Sequence, residues 1–306
     1  RVVTDQPSDS MCSRLGAALC VGGGTLLLLS LQHHASHHGS RQARPFHGEA
    51  HQQVEVDSSL KTLRGLAPTV RGGRAAVKAR LVADDCAVPA GAKKLHLIRH
   101  GEGVHNVAQR EWRSRVDYDG RSEPYTVDHD PEGRYTDALL TPAGEAQARA
   151  LQPRTRPLSP QLLVVSPLRR ATQTGLLAFS PHVQAGRLPV IAHEGCHERG
   201  GKHTCDRRLA RSVLASAYPS VSYALIEAEE DPLWGEGVTR EPWEALARRG
   251  VGFVDWLLAR PEQHIAVAAH SAFLLALTNT ALDAAGDEAV RGWFATGEMR
   301  TLLLTD

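Results

Sequence analysis

Three apolar runs in this chain each lead into arginine or histidine. LHLI (95–98) leads into Arg99-His100-Gly101, LLVVS (162–166) into Pro167-Leu168-Arg169-Arg170, and HIAVAA (264–269) into His270-Ser271. In an open parallel sheet, ligands bind just beyond the carboxyl ends of the strands. Guanidinium groups bind phosphate in a planar, multiply donating way, and helices that begin after the last two runs add oriented N–H groups. The spacing therefore predicts one pocket for a phosphate-sized dianion.

Composition makes this anion site a local feature. The chain has 306 residues, 42% of them apolar, with 35 Lys+Arg against 34 Asp+Glu. A net charge near zero gives no global reason to expect nucleic acid or an acidic membrane surface as a partner. The five cysteines are odd in number and irregularly spaced, which indicates no disulfide framework and favours a reducing compartment.

The first 92 residues differ from the rest and are interpreted as a largely disordered leader and linker. Residues 10–48 contain no Asp or Glu, and Arg14 precedes an apolar run at 15–31. This pattern is typical of a targeting leader or a membrane anchor, with a cytoplasmic protein as the alternative. Any membrane contact is expected only through 15–31. Residues 60–90 are read as a linker with a short helix near 74–82.

From Lys93 to Asp306 the sequence predicts one catalytic domain. Short apolar runs alternate with longer amphipathic stretches, the pattern of an α/β sheet protein. We expect a three-layer α/β/α domain with a mostly parallel central sheet, preceded by the poorly ordered leader. The segment MRTLLLTD (299–306) is expected to form its last strand.

Four motifs in order resemble the histidine phosphatase superfamily, also called phosphoglycerate mutase-like. These are RHGE (99–102), LTPAGEAQA (140–148), SPLRRATQT (166–174) and AHSAF (269–273). The strings EGCHERGGKHTCD (194–206) and LIEAEEDPLW (225–234) resemble a plant and algal phosphoglycerate-mutase-like subgroup. Together the motifs span about residues 95–306. A plant relationship would also suit a plastid-targeting leader.

The resemblance implies a role for each matching residue. His100 would be the nucleophile and Glu198 the proton donor, with Glu102 as its local rival. The residues that would hold the phosphoryl group are Arg99, Arg170 and His270, helped by Gly101, Asn106 and the backbone N–H of Ser271. Gly101 would let the backbone approach the phosphate. The departure from the usual His-Gly-Gly, with Ser271-Ala272 after His270, would narrow that loop.

The leading hypothesis is a phosphoric monoester hydrolase that acts on a small phosphorylated metabolite through a phosphohistidine. The alternatives are a phosphoglycerate mutase-type phosphotransferase and a non-catalytic module that binds phosphorylated ligands. We expect no cofactor and no metal, because arginine and histidine would supply the positive charge. A zinc site at Cys196, His197, His203 and Cys205 is the competing interpretation of that segment. In the charged stretch 110–137, candidates for substrate contact are Arg113, Arg115 and Arg121.

Overall fold

Seven strands form a single mixed sheet within the part of the chain that the structure describes. This computed structural model describes residues 47–235 and 239–305, with side chains from residue 56 onward. The strands are β1 (Val77–Leu81), β2 (Lys93–Arg99), β3 (Leu162–Val165), β4 (Val190–Ala192), β5 (His264–Ala269), β6 (Leu282–Asp283) and β7 (Met299–Thr305). Their order across the sheet is β4-β3-β5-β2-β7-β1-β6. Strands β4, β3, β5 and β2 are parallel, whereas β7 runs antiparallel to both β2 and β1.

Ten α-helices lie within the described residues. They are α1 (His47–Val70), α2 (Val104–Arg113), α3 (Pro142–Arg149), α4 (Gln152–Thr155), α5 (Arg169–Ala178), α6 (Ser180–Gln184), α7 (Arg211–Ala217), α8 (Trp243–Ala259), α9 (Ser271–Thr280) and α10 (Glu288–Arg291). Two short 3₁₀ helices, Glu194–Cys196 and Thr204–Asp206, interrupt the segment between β4 and α7.

The sheet is covered on both faces, which confirms the predicted three-layer architecture. Along β3, Leu162 and Val164 belong to one buried cluster, whereas Leu163 and Val165 belong to another. The first cluster includes side chains of α1, α8 and α9, and the second includes side chains of α5 and α7. Because alternate side chains of a strand point to opposite faces, the two clusters fill the two interfaces between the sheet and the helices that cover it. The last strand is confirmed as β7.

The predicted boundary at residue 93 is wrong, because residues before it are part of the folded domain. The expected linker over 60–90 holds the end of α1 and the whole of β1, and the short helix expected near 74–82 is replaced by that strand. Leu63 of α1 is fully buried in the same cluster as α8 and α9, and β1 pairs with β6 and β7. Burial of one apolar helix face and strand pairing outweigh the Gly, Arg and Pro content that suggested a linker. The predicted leader, with its apolar run at 15–31, lies in residues 1–46, outside the described residues.

None of the helices in the described ranges, 47–235 and 239–305, is both long and apolar enough to cross a membrane.

The strand register brings the three predicted strand ends to one edge. Arg99 of β2 pairs with Ala269 of β5, and Val165 of β3 pairs with Ala268 of β5. The next residues along the chain are His100, Ser166 and His270, and they therefore leave the sheet side by side. The backbone N–H of His100 donates to the carbonyl of Ala269, which extends the β2–β5 ladder by one residue (3.0 Å).

A buried chain of hydrogen bonds crosses β7, β2 and β5 away from that edge. His96 Nδ1 lies 2.8 Å from Thr301 Oγ1, and His96 Nε2 lies 2.5 Å from His264 Nε2. The Thr301 hydroxyl donates to the carboxylate of Asp84. Since a carboxylate only accepts, Thr301 accepts from His96 Nδ1–H, and His264 donates to His96 Nε2. Burial, followed by the neighbouring His264, lowers the pKa of His96 from its ordinary 6.5 to about 3.

This shift predicts that acid weakens the fold through His96. Between about pH 6.5 and pH 3 the unfolded chain takes up a proton that the folded protein refuses, so the free energy of unfolding falls as pH falls, by up to about 1.4 kcal/mol per pH unit. We expect urea titrations from pH 7 to pH 4 to show a shallower pH dependence for His96→Gln than for wild type. Equal slopes in the two proteins would contradict this account of His96.

Candidate active site

A cavity of about 220 Å³ opens at the carboxyl edge of β2, β3 and β5. The residues that line it range from Val56 to Trp293, and polar residues outnumber apolar ones. Five of the lining residues are arginines: Arg99, Arg113, Arg170, Arg199 and Arg240. Others include His100, His105, Asn106, Tyr125, Glu123, Glu198, His203, Asp206, Ser271, Trp243 and Trp293. This excess of positive charge over carboxylates makes the cavity suited to a dianion.

His100 is held as a neutral imidazole in one tautomer. Its Nδ1 lies 2.7 Å from the carbonyl oxygen of Gly101, and a carbonyl can only accept, so Nδ1 carries the proton. The other nitrogen, Nε2, accepts from Arg170 Nε at 3.3 Å. Burial lowers the pKa of His100 well below its ordinary value, and the charges of Arg170 and Arg99 lower it further. At neutral pH Nε2 is therefore unprotonated, and its electron pair accepts from Arg170 Nε in the cavity.

Arg170 is fixed by a buried carboxylate behind it. Its Nη2 donates to Asp206 Oδ1 at 2.7 Å, and its Nη1 donates to the carbonyl of Cys205 at 2.6 Å. Asp206 also accepts from Arg240 at 2.8 Å, so one carboxylate holds two cavity arginines. Burial alone would raise the pKa of Asp206, but Arg240, His203 and Arg170 hold it well below its usual range. The guanidinium of Arg170 is thereby oriented before any ligand arrives.

Arg99, which lines the cavity, and His270, which is buried beside His100, each have an unpaired nitrogen. Within the described residues, Arg99 Nε and His270 Nδ1 are buried and have no hydrogen-bond partner. The His270 ring is centred 5.1 Å from the His100 ring, and its Nε2 lies 2.8 Å from Ser166 Oγ. A buried nitrogen without a partner costs about 1–3 kcal/mol. Phosphate oxygens are acceptors that can satisfy such groups, as the predicted roles of both residues require.

Glu198 lies at the amino end of α9, on the wall of the cavity. Its carboxylate accepts from the backbone N–H groups of Ala272 at 3.2 Å and Phe273 at 3.0 Å. The hydroxyl of Ser271 also faces it, at 3.4 Å. These donors and the positive end of the helix dipole hold the carboxylate in place. Glu198 is thus brought to the same cavity as His100, as predicted.

Gly101, one of the predicted phosphate contacts, has other partners in the structure. The N–H of Gly101 donates to Thr174 Oγ1 at 3.0 Å, and its carbonyl binds the His100 ring. A Cβ at Gly101 would collide with the backbone of Gly144 in α3. The prediction that this glycine makes room for phosphate is therefore wrong: it makes room for a helix. Ser271 lines the cavity, and its hydroxyl donates towards Glu198, so the predicted phosphate contact through its backbone N–H stays a prediction.

Asn106 lies where it was predicted, with part of its side chain already engaged. Its Oδ1 accepts from the N–H of Gly103 at 2.8 Å and so caps α2. The residue lines the cavity, and its amide NH₂ is the end that remains to face a ligand.

Glu102, the alternative candidate for the proton donor, makes structural contacts. Glu102 accepts from Arg110 at 2.9 Å and from Thr141 at 2.8 Å, and it is absent from the described lining of the cavity. These contacts tie the start of α2 to the start of α3. Glu102 is therefore the structural carboxylate that the sequence allowed for.

Of the three candidate arginines in 110–137, the cavity includes Arg113. Arg115 instead pairs with Asp117 at 2.8 Å and stacks over Trp112, and Arg121 is exposed. Tyr125 and Glu123, from the same stretch, also line the cavity. An isolated antiparallel β-bridge between Thr126 and His203 holds this part of the stretch in place. The residues of this stretch that reach the cavity are therefore Arg113, Glu123 and Tyr125, whereas Arg115 and Arg121 are absent from its described lining.

The structure does not support the zinc interpretation of residues 196–205. His197 lies 3.4 Å from Asp231, and His203 lies 2.6 Å from Glu123, so the two rings serve different carboxylates. Cys196 packs in the core beneath α8 and α9, whereas Cys205 belongs to a small cluster with Tyr125 and Ala138. Across the described ranges, no three His, Cys, Asp or Glu side chains are arranged to hold a metal ion.

Sequence reasoning also missed His105, Asp206 and Arg240, which line the cavity together with Tyr125 and Glu123. His105 is buried in the first turn of α2, with its ring centred 5.6 Å from that of His100, and it directly precedes Asn106 in the sequence. Asp206 closes the string HTCD, whose acidic end was a usable signal. Arg240 carried no signal, because its position depends on the partner that Asp206 offers it.

Comparison with known proteins identifies relatives of this chain. The sequence model for the histidine phosphatase superfamily (branch 1) matches residues 127–304, more than half of the chain. Phosphoglycerate mutase-like protein 1 of Arabidopsis thaliana is 30% identical over 246 residues, covering 70% of this chain and 82% of the relative. A second Arabidopsis thaliana relative, phosphoglycerate mutase-like protein, is 31% identical over 216 residues, covering 61% and 74%. Among solved structures, the alpha-ribazole phosphatase from Shigella flexneri has a TM-score of 0.43 and 21% identity, covering 68% of this chain and 89% of that one.

The matched region begins after the RHG segment, yet it contains Arg170, Glu198 and His270. The structure places those three residues around His100, which lies outside that region. The resemblance stated from the motifs is therefore confirmed, and the chain belongs to the histidine phosphatase superfamily, branch 1.

Proposed function

We propose that this protein hydrolyses phosphoric monoesters through a phosphohistidine formed on His100. The observation that supports this most is the state of the His100 ring: neutral, fixed through Nδ1, with Nε2 facing the cavity beside Arg170. A module that only binds phosphorylated ligands needs donors around the anion, but it has no need for a nitrogen electron pair at the centre of the site.

The first step is attack of His100 Nε2 on phosphorus. The N–P bond forms as the bond from phosphorus to the leaving oxygen breaks, and the proton stays on Nδ1, which continues to donate to the carbonyl of Gly101. Negative charge on the three equatorial oxygens is held by Arg99, Arg170 and His270. Burial lowers the pKa of Arg99 to about 10, so this guanidinium still carries its charge at neutral pH. These side chains supply the positive charge that phosphoryl transfer requires.

Glu198 would move the protons of both steps. In its protonated form it gives a proton to the leaving alkoxide, and the resulting carboxylate then takes a proton from the attacking water. Water attacks phosphorus, the N–P bond breaks, and inorganic phosphate leaves with His100 neutral again. The three donors at the amino end of α9 keep the carboxyl group on the wall of the cavity throughout.

The cavity indicates a small substrate. Its volume of about 220 Å³ is below the roughly 300–1,000 Å³ of pockets that hold drug-sized ligands. A phosphoryl group with a compact alcohol would fill it. We therefore place the substrate among small phosphorylated metabolites.

The second candidate is transfer of the phosphoryl group between two positions of a phosphoglycerate. It is favoured by the names of the Arabidopsis relatives, which describe phosphoglycerate mutase-like proteins. Both reactions use the same phosphohistidine and differ in whether water or a second hydroxyl accepts the group. Incubation with 3-phosphoglycerate separates them, since a mutase yields 2-phosphoglycerate and a phosphatase yields glycerate with inorganic phosphate.

Removing the nucleophile tests the proposed function directly. We expect His100→Ala to lower phosphate release from a panel of sugar, glycerate and aryl phosphates at least about 1,000-fold. His96→Gln is the matched control, because it replaces a buried histidine of β2, the strand that leads into His100, and His96 is outside the described cavity lining. Turnover by His100→Ala close to that of wild type would refute the role of His100.

Glu198 is tested through the leaving group. An alkoxide needs a proton as it departs, whereas 4-nitrophenolate departs without one, so loss of the acid should affect the two unequally. We expect Glu198→Gln to lower kcat/KM about 100-fold for glycerol 2-phosphate but only about tenfold for 4-nitrophenyl phosphate. An equal loss for both substrates would show that Glu198 acts on binding rather than on proton transfer.

A further inference from the structure

Helix α1 reaches the cavity that contains His100. Val56 and Ser59, on one side of this helix, line the same cavity as His100, Arg170 and Glu198. Ser59 is only 9% exposed, whereas its neighbour Ser58 is exposed. Helix α1 precedes residues 127–304, the region matched by the family model. Helix α1 thus lies outside the matched region, yet it contributes two side chains to the cavity.

The position of α1 is fixed from two directions. Leu63 is fully buried in the cluster formed with α8 and α9, and Leu60 packs against the same cluster. Farther along the helix, Arg64 donates to Asn279 of α9 at 3.1 Å and pairs with Glu288 of α10 at 2.7 Å. Apolar burial and these polar ties hold the Val56 turn of the helix against the domain. A wall built in this way can exclude ligand atoms.

The cavity lining includes apolar as well as polar side chains. Trp243 and Trp293, which line it together with Val56 and Ser59, pack against the same core cluster as Leu60 and Leu63 of α1. Tyr125 belongs instead to a separate cluster with Cys205, and its ring contacts those of His105 and His203. The phosphate-binding nitrogens surround His100 at the carboxyl edge of the sheet. What remains for Val56 and Ser59 to contact is the part of a substrate beyond its phosphoryl group.

We propose that Val56 and Ser59 form the wall against which the alcohol part of the substrate packs, and that they set the size of the phosphomonoester the site accepts. This inference rests on the proposed function. The ligand class is a phosphomonoester whose alcohol presents an apolar or ring face to α1, since rings and aliphatic groups pack favourably on valine and tryptophan.

The test introduces a bulky side chain at this wall in the full-length chain. Ser59→Trp places an indole in the cavity, and Ser58→Trp places the same indole on the exposed side of the same helix turn. We expect Ser59→Trp to raise KM for 4-nitrophenyl phosphate about tenfold, while the inhibition constant of inorganic phosphate stays within about twofold. Ser58→Trp should match wild type in both measurements. Val56→Ala, which removes atoms without adding any, should raise kcat/KM for 1-naphthyl phosphate relative to 4-nitrophenyl phosphate.

The outcomes separate this inference from the proposed function. If the wild-type protein hydrolyses no phosphomonoester, the proposed function fails. If wild type is active but Ser59→Trp and Val56→Ala both behave like Ser58→Trp, the α1 wall is overturned while the function stands. Equal loss of substrate and phosphate binding in a folded Ser59→Trp protein also overturns it, because a wall for the alcohol would spare the phosphate.

Discussion

The hydrogen bond from His100 Nδ1 to the carbonyl of Gly101, 2.7 Å long, is the contact on which the rest of the site depends. It decides which nitrogen carries the proton and therefore which one can attack phosphorus. The backbone of His100 is fixed on both sides, since its N–H donates to Ala269 of β5 and its carbonyl accepts from Gly297 before β7. The nucleophile is thus positioned by the central sheet itself. Gly101 lets α3 pack closely against this backbone, because a Cβ at this position would collide with Gly144.

Charge is the second constraint. Arg99, Arg170 and Arg240 face one cavity, and concentrating cations in a buried place is costly unless carboxylates balance them. Asp206 balances Arg170 and Arg240 together, at 2.7 and 2.8 Å. What remains uncompensated lies around His100, as positive charge and as unpaired nitrogens on Arg99 and His270. These nitrogens are donors that the oxygens of a phosphoryl group would satisfy.

Much of this could be predicted from short strings of sequence, for a physical reason. Parallel strands align their carboxyl ends, so residues such as His100, Arg170 and His270 could be assigned to one place without knowing anything between them. The reasoning failed where tertiary packing decides. Apolar residues at Val56, Leu60 and Leu63 have helical spacing, but the Gly, Arg and Pro content of 60–90 suggested a linker, and the helix is stable because it buries Leu63 against α8 and α9. The purpose of Gly101 and the position of Arg240 depend on neighbours distant in sequence, Gly144 and Asp206, which no local pattern specifies.

The central claim is that His100 Nε2 accepts a phosphoryl group within this cavity. The most direct measurement is trapping of labelled phosphate on the protein after rapid mixing with a ³²P-phosphomonoester and a denaturing quench. The account predicts label that is stable in alkali and lost in acid, maps to the peptide containing His100, and is missing from His100→Ala. Steady hydrolysis by wild type with no label on His100, or equal label on the His100→Ala protein, would contradict it.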